Sequence, residues 1–211
     1  MTGRFALVVA AALTLGAGAA YGATVTVGSW HLWAGGQTLT KGTCTVTGAT
    51  DTYVASKYPS TSYAGTPLLE VRPDTKQTLW TFVRFDLSSC GLPTTAGADS
   101  ATLKLVLAAA PKAGRTLTVT PVLGTWSPSL TWRQAQTLSY GPTTTTFATG
   151  TTPGITSSVP VTVDVDAVIK DPNASYGWRI SDTGATASED TTIFASSATP
   201  YPPQLVISYE R

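Results

Sequence analysis

Apolar and polar residues alternate with a period of two through most of this chain, the pattern of strands buried on one face. The alternation predicts strands over 44–54, 68–71, 78–87, 101–107, 117–123, 159–165, 176–180, 191–195 and 205–209. Between 126 and 154 it loosens into Pro, Gly and Thr, which predicts short strands joined by long loops. No stretch carries the period of a long amphipathic helix; 166–170 suits a single turn ahead of Asp171-Pro172. Many short strands with turn signals between them predict an all-β fold. The expected form is one antiparallel β-sandwich or jelly roll. Val83, Phe85 and Leu87 of one strand would then meet Val161, Val163 and Val165 of another across the core.

One strand departs from clean alternation. Opposite Val83 and Phe85, the 78–87 segment carries Trp80 and Phe82 ahead of Arg84 and Asp86. An apolar patch on an outer face needs a cover or a ligand. Residues 23–48 read as a short N-terminal extension to a 49–211 sandwich, and they contain the cluster Trp30-His-Leu-Trp33. That cluster is the expected cover, with an open binding surface as the alternative.

The first residues add a compartment. Arg4 precedes an apolar run over 5–15, and small residues at 16–20 supply cleavage sites, so 1–22 reads as a secretory signal peptide. The run is too short and too rich in Ala and Gly for a membrane anchor. No wall-sorting tail follows Glu210-Arg211, and the expectation is a freely secreted protein with no membrane attachment after cleavage. In an oxidising compartment the two cysteines, Cys44 and Cys90, are expected to pair. The bridge would close a loop of about 47 residues. A catalytic thiol is the alternative, with His31 as the sole histidine to partner it.

Charge and composition narrow the partners. The mature chain carries 12 acidic residues against as many basic ones, which disfavours nucleic acid. Charged residues are 12% of the chain, and Thr, Ser, Gly and Pro supply most of the polarity. Such a composition favours strands and turns over helix.

Several segments taken in order resemble DNRLRE modules, the disaggregatase-related β-sandwiches grouped with carbohydrate-binding modules. They begin with Asp51-Thr-Tyr-Val54, the 59–65 loop Pro-Ser-Thr-Ser-Tyr-Ala-Gly, and Val83-Arg-Phe-Asp-Leu-Ser88. Ser100-Ala-Thr-Leu-Lys-Leu105 follows, then Trp126 with Leu130-Thr-Trp132, which looks like the family's paired tryptophan segment. Val163-Asp-Val-Asp166, Tyr176-Gly-Trp-Arg-Ile180, Phe194-Ala-Ser-Ser197 and Pro203-Gln-Leu-Val-Ile-Ser-Tyr209 complete the set. The resemblance implies an extracellular sandwich with a binding or structural role and no catalysis of its own. The chain departs from the family in carrying no enzyme domain, and Ala195 stands where members often have a charged residue.

Catalytic machinery is hard to assemble from these residues. A Ser-His-Asp triad would have to use His31, and no Gly-x-Ser-x-Gly turn occurs. One histidine and a paired cysteine set leave too few ligands for zinc. Carboxylates remain. Asp164 and Asp166 lie two apart, hence on one strand face, and Glu189-Asp190 sits in a loop. A glycosidase pair, a calcium site and ordinary solvated carboxylates are the three readings, the last being the plainest. Of the functional two, calcium is better served, with Asp51, Asp164, Asp166, Glu189 and Asp190 as candidate ligands. Sugars stack on aromatic platforms flanked by a few polar groups. Trp126, Trp132, Tyr63, Tyr140 and Tyr201 fall in or beside predicted loops and are the candidate platforms for a polysaccharide or cell-surface glycan. Trp126 and Trp132 equally suit a packing role. The expected function is therefore a secreted, non-catalytic carbohydrate-binding module, with a structural or adhesive surface protein as the alternative.

Overall fold

The computed structural model describes residues 23–28, 41–73, 76–92, 97–142, 145–163, 176–183 and 190–210. Its strands are β1 (Ala23–Gly28), β2 (Lys41–Val46), β3 (Ala49–Ala55), β4 (Leu68–Val71), β5 (Leu79–Phe85) and β6 (Gly97–Ala109). They continue with β7 (Thr116–Pro121), β8 (Thr145–Ala148), β9 (Thr156–Val161), β10 (Trp178–Asp182), β11 (Thr192–Ala195) and β12 (Gln204–Glu210). One short helix, α1 (Trp132–Ala135), interrupts the strands. Among the described residues no helix is long and apolar enough to cross a membrane.

The strands form two antiparallel sheets. The larger runs β1-β2-β12-β6-β11-β4, and β9 also pairs with β6; the smaller runs β3-β5-β10-β7-β8. β6 is long enough to hold β12 along one side and, along the other, β9 at 101–106 and β11 beyond it. Period-two alternation fills the space between the sheets. Leu103, Leu105, Leu107, Leu205, Ile207 and Phe194 come from the larger sheet, and Val83, Phe85, Leu117, Val119, Trp178 and Ile180 from the smaller. This is the all-β sandwich that the sequence pattern predicts. Leu87 and Val163 join the same core, Val161 packs partly against it, and Val165 lies outside the described residues.

The strand expected over 44–54 is two strands in two sheets. Cys44 and Val46 are buried at even positions, whereas Ala49 and Asp51 are buried at odd ones. The inward parity switches at Thr47-Gly48, where Ala49 N donates to Thr47 O at 3.1 Å and the chain crosses between sheets. Within 23–48, the described strands join the larger sheet: β1 pairs with β2, and β2 pairs with β12. Within that pair the Tyr209 ring lies over Gly42, in the space any larger side chain would need.

Cys44 and Cys90 form the expected disulfide, with Cα atoms 5.6 Å apart. Local chemistry aims Cys90. The Asp86 carboxylate accepts the Ser88 N–H at 2.9 Å, and the single 3₁₀ turn Ser88–Cys90 closes with Cys90 N donating to Leu87 O. The bonds from Ser88 hold the Asp86 carboxyl below its ordinary pKa. The bridge thus joins β2 of the larger sheet to the segment leaving β5 of the smaller one.

Candidate functional site

The outward face of β5 is covered among the described residues by the 122–140 segment. The expected cover, Trp30-His-Leu-Trp33, lies outside the described residues. Trp126, Leu130, Trp132 and Ala135 are buried with Phe82, Val54 and Val122 in a second apolar cluster, flanked by Trp80, Leu138, Tyr140 and Tyr176. Helix α1 is short and depends on its cap. Thr131 is extended at the N-cap, its hydroxyl accepts from Gln134 N, and the Gln134 side chain accepts the Thr131 N–H at 2.9 Å. The Trp132 ring then lies 4.3 Å from that of Trp80, centroid to centroid.

This arrangement engages three of the predicted sugar platforms. Trp126 and Trp132 are 6% and 9% exposed. Phe82 and the Arg84 guanidinium pack on the Trp126 ring at 5.7 and 5.2 Å, while its Nε1 donates to Tyr176 O at 2.6 Å. The Tyr140 hydroxyl donates to Ala135 O, and its ring faces the Arg179 guanidinium at 4.1 Å. Arg179 points outward from β10 and also contacts Trp80 at 4.6 Å, so it is held between two rings. Gly177, just before β10, has φ +77, and a Cβ there would run into the Val83 carbonyl oxygen. Trp126 and Trp132 are thus packed into the cover, and the half-buried Tyr140 is bonded to it.

The other predicted tyrosines occupy a rim built from two loops, 56–67 after β3 and 196–203 after β11. Buried Ser196 pins the loops together. Its Oγ donates to Thr66 O at 2.7 Å and its N–H to Pro67 O at 3.2 Å. Arg133 N donates to Pro59 O at 3.1 Å, which ties the first loop to α1. Five large hydrophobic side chains are exposed among the described residues; two of them, Tyr58 and Tyr201, belong to this rim, and a third, Leu68, opens β4 directly after the first loop. Tyr201 is 66% exposed and Tyr58 48%. Tyr63 stacks on Tyr53 at 4.2 Å and 22°. Burial, with Glu70 nearby, pushes the Tyr53 phenol above its ordinary range, and burial with Tyr58 and Glu70 raises Tyr63. Both therefore stay neutral hydroxyls at physiological pH. Tyr58, which Lys57 approaches at 5.6 Å from the ring centroid, was legible only as one more tyrosine in a turn-rich loop.

Of the candidate calcium ligands, Asp164, Asp166 and Glu189 lie outside the described residues. Asp190 is partly exposed and within electrostatic reach of Arg115. Asp51 is buried, and its two oxygens accept the Ser197 N–H at 2.6 Å and the Ser197 hydroxyl at 3.0 Å. It is a clamp from β3 to the 196–203 loop. No group of three or more metal-ligating side chains occurs among the described residues.

That clamp has a pH signature. Burial raises the Asp51 carboxyl above its ordinary value of 3.8, and the Ser197 bonds offset this only in part. The folded state thus binds this proton more tightly than the unfolded chain does. Its stabilising contribution is complete below the ordinary pKa and is lost as pH rises through the folded one. Asp51→Asn keeps an acceptor for the Ser197 N–H and removes the titration, so its stability is expected to stay flatter than wild type above pH 4. Asp51→Ala orphans the Ser197 N–H and is expected to cost about 1–3 kcal/mol. Urea unfolding of the three proteins across pH 4–7 checks both; an Asn variant with the wild-type pH slope would contradict the assignment.

Beside the rim, the cover carries an open groove of about 470 Å³. Leu130, Leu138 and the remaining edge of Trp126 line its apolar part, and Thr125, Ser127, Gln134 and Thr137 its polar part. Comparison with known proteins adds no relative: no protein-family model matches the chain, and no curated protein is significantly similar to it.

Proposed function

We propose that this protein is a secreted, non-catalytic carbohydrate-binding β-sandwich module of the DNRLRE type. The observation that carries the reading is that the two aromatic side chains exposed among the described residues, Tyr58 and Tyr201, both lie on one pinned rim, beside the half-buried Tyr63 stacked on Tyr53. Tyrosine rings offer apolar faces to pyranose C–H groups and hydroxyls to their oxygens. The loops that carry them are held by Ser196, the Asp51 clamp and Arg133 N, which lowers the ordering cost of binding. Export is supported by the signal-like 1–22 segment, and the Cys44–Cys90 bridge suits an oxidising compartment. The near-balanced charge argues against nucleic acid as the partner.

Affinity electrophoresis through gels containing soluble polysaccharides tests the proposal. Wild-type protein should be retarded in at least one gel. Tyr201→Ala and Tyr58→Ala should each weaken retention about tenfold and leave the melting temperature unchanged, since both rings are exposed. A structural or adhesive role without glycan binding is the second reading, favoured by Leu68, an exposed aliphatic residue on edge strand β4 beside the tyrosines. It predicts no retardation in any gel.

A further inference from the structure

We infer that the groove beside helix α1 is a second glycan-contacting site, and that it takes an uncharged, hydroxyl-rich stretch of the chain. The inference rests on the carbohydrate-binding reading and extends it to the ligand's class. Three observations carry it. None of the side chains lining the groove ionises. A carboxylated or sulfated sugar seated there would lose water without gaining a counter-charge. Arg84 packs on the Trp126 ring, and Arg133 is exposed on α1 without lining the groove.

The polar groups present are those that recognise hydroxyls. Gln134 is the central one. Its Oε1 is taken by the Thr131 N–H and hydroxyl, at 2.9 and 3.0 Å, which fixes the amide's orientation and leaves the Nε2 donors for a ligand. The Ser127 hydroxyl, bonded to Ser129 at 2.8 Å, and Thr137, whose hydroxyl donates to Gln134 O, supply acceptors. Leu130, Leu138 and the Trp126 edge complete the apolar side that pyranose C–H groups require. Position supplies the third observation. Gln134 follows Arg133, whose N–H is bonded to Pro59 of the tyrosine loop, so groove and rim meet across one hydrogen bond. A glycan chain can engage both.

The same capping box that orients Gln134 makes the test clean. Gln134→Glu retains the Oε1 acceptor for the N-cap, as Glu and Gln serve equally in a capping box, but replaces the Nε2 donors with a charged acceptor. Thr137→Lys places a long side chain beside the groove without touching the cap donors. Both variants, Tyr201→Ala and wild type are run through gels of hydroxyethylcellulose, xyloglucan, galactomannan and polygalacturonate at low and high salt. The expected result is salt-insensitive retention of wild type by a neutral polymer, weakened about tenfold by Gln134→Glu with an unchanged melting temperature, and weakened also by Thr137→Lys. Retention that falls in Tyr201→Ala but not in either groove variant overturns the groove and leaves the rim. Retention by polygalacturonate alone, lost at high salt, overturns the ligand class. No retention of wild type in any gel overturns the carbohydrate reading and this inference with it.

Discussion

Trp126→Ala is expected to lose about 3–5 kcal/mol of folding stability, far more than any exposed tyrosine variant. The ring is 6% exposed and packs against Phe82 and Arg84, and its Nε1 reaches across to the Tyr176 carbonyl. Truncation would leave a cavity beneath the cover, orphan that carbonyl and uncover Phe82 on the outer face of β5. The effect should be local at first. The cover cluster around Val54, Phe82, Val122 and Trp132 is distinct from the main core between the sheets. Near-UV circular dichroism should therefore fade before the far-UV strand signal on heating the variant. A variant that melts with wild type would contradict the cover role.

Removing the disulfide is expected to have a similar effect by a different route. In the chain-entropy model, opening a loop whose ends are 46 residues apart costs about 4 kcal/mol. The double substitution Cys44→Ala, Cys90→Ala avoids leaving a single reactive thiol. Cys44 is fully buried in β2 and Cys90 nearly so, and some packing is lost as well. The midpoint of guanidinium unfolding should shift to lower denaturant by an amount corresponding to that energy. A shift equivalent to less than about 1 kcal/mol would mean that residual pairing between β3 and β5, both inside the loop, already confines it in the unfolded ensemble.

The groove and the Asp51 clamp illustrate how local rules and distant contacts combine at this site. Thr131-x-x-Gln134 is a capping-box sequence, legible without coordinates. That its glutamine would line a groove is not legible, because the opposite wall comes from the 125–130 turn. Likewise Asp51 reads from sequence as one carboxylate among several. Its bonds to Ser197 span 146 positions of the chain.

By itself the sequence determined the alternation and therefore the class. β4 falls where the pattern places it, at Leu68–Val71, and β5, β6, β7, β10, β11 and β12 overlap their predicted segments. Period two is a property of the local backbone, so it survives without knowledge of the partner strand. Two cysteines leave one connectivity, and the bridge follows. What only the tertiary structure decided is which faces meet. The parity switch at Thr47-Gly48 divides one apparent strand between two sheets, and it is the crossing between sheets that gives the switch its meaning. The same holds for the aromatic residues. Trp126 and Tyr201 are both loop residues, yet one is packed on Phe82 and the other stands in solvent. Burial in a loop depends on what the rest of the chain lays against it, and a hydrophobic pattern records the need for a cover without naming the segment that supplies it.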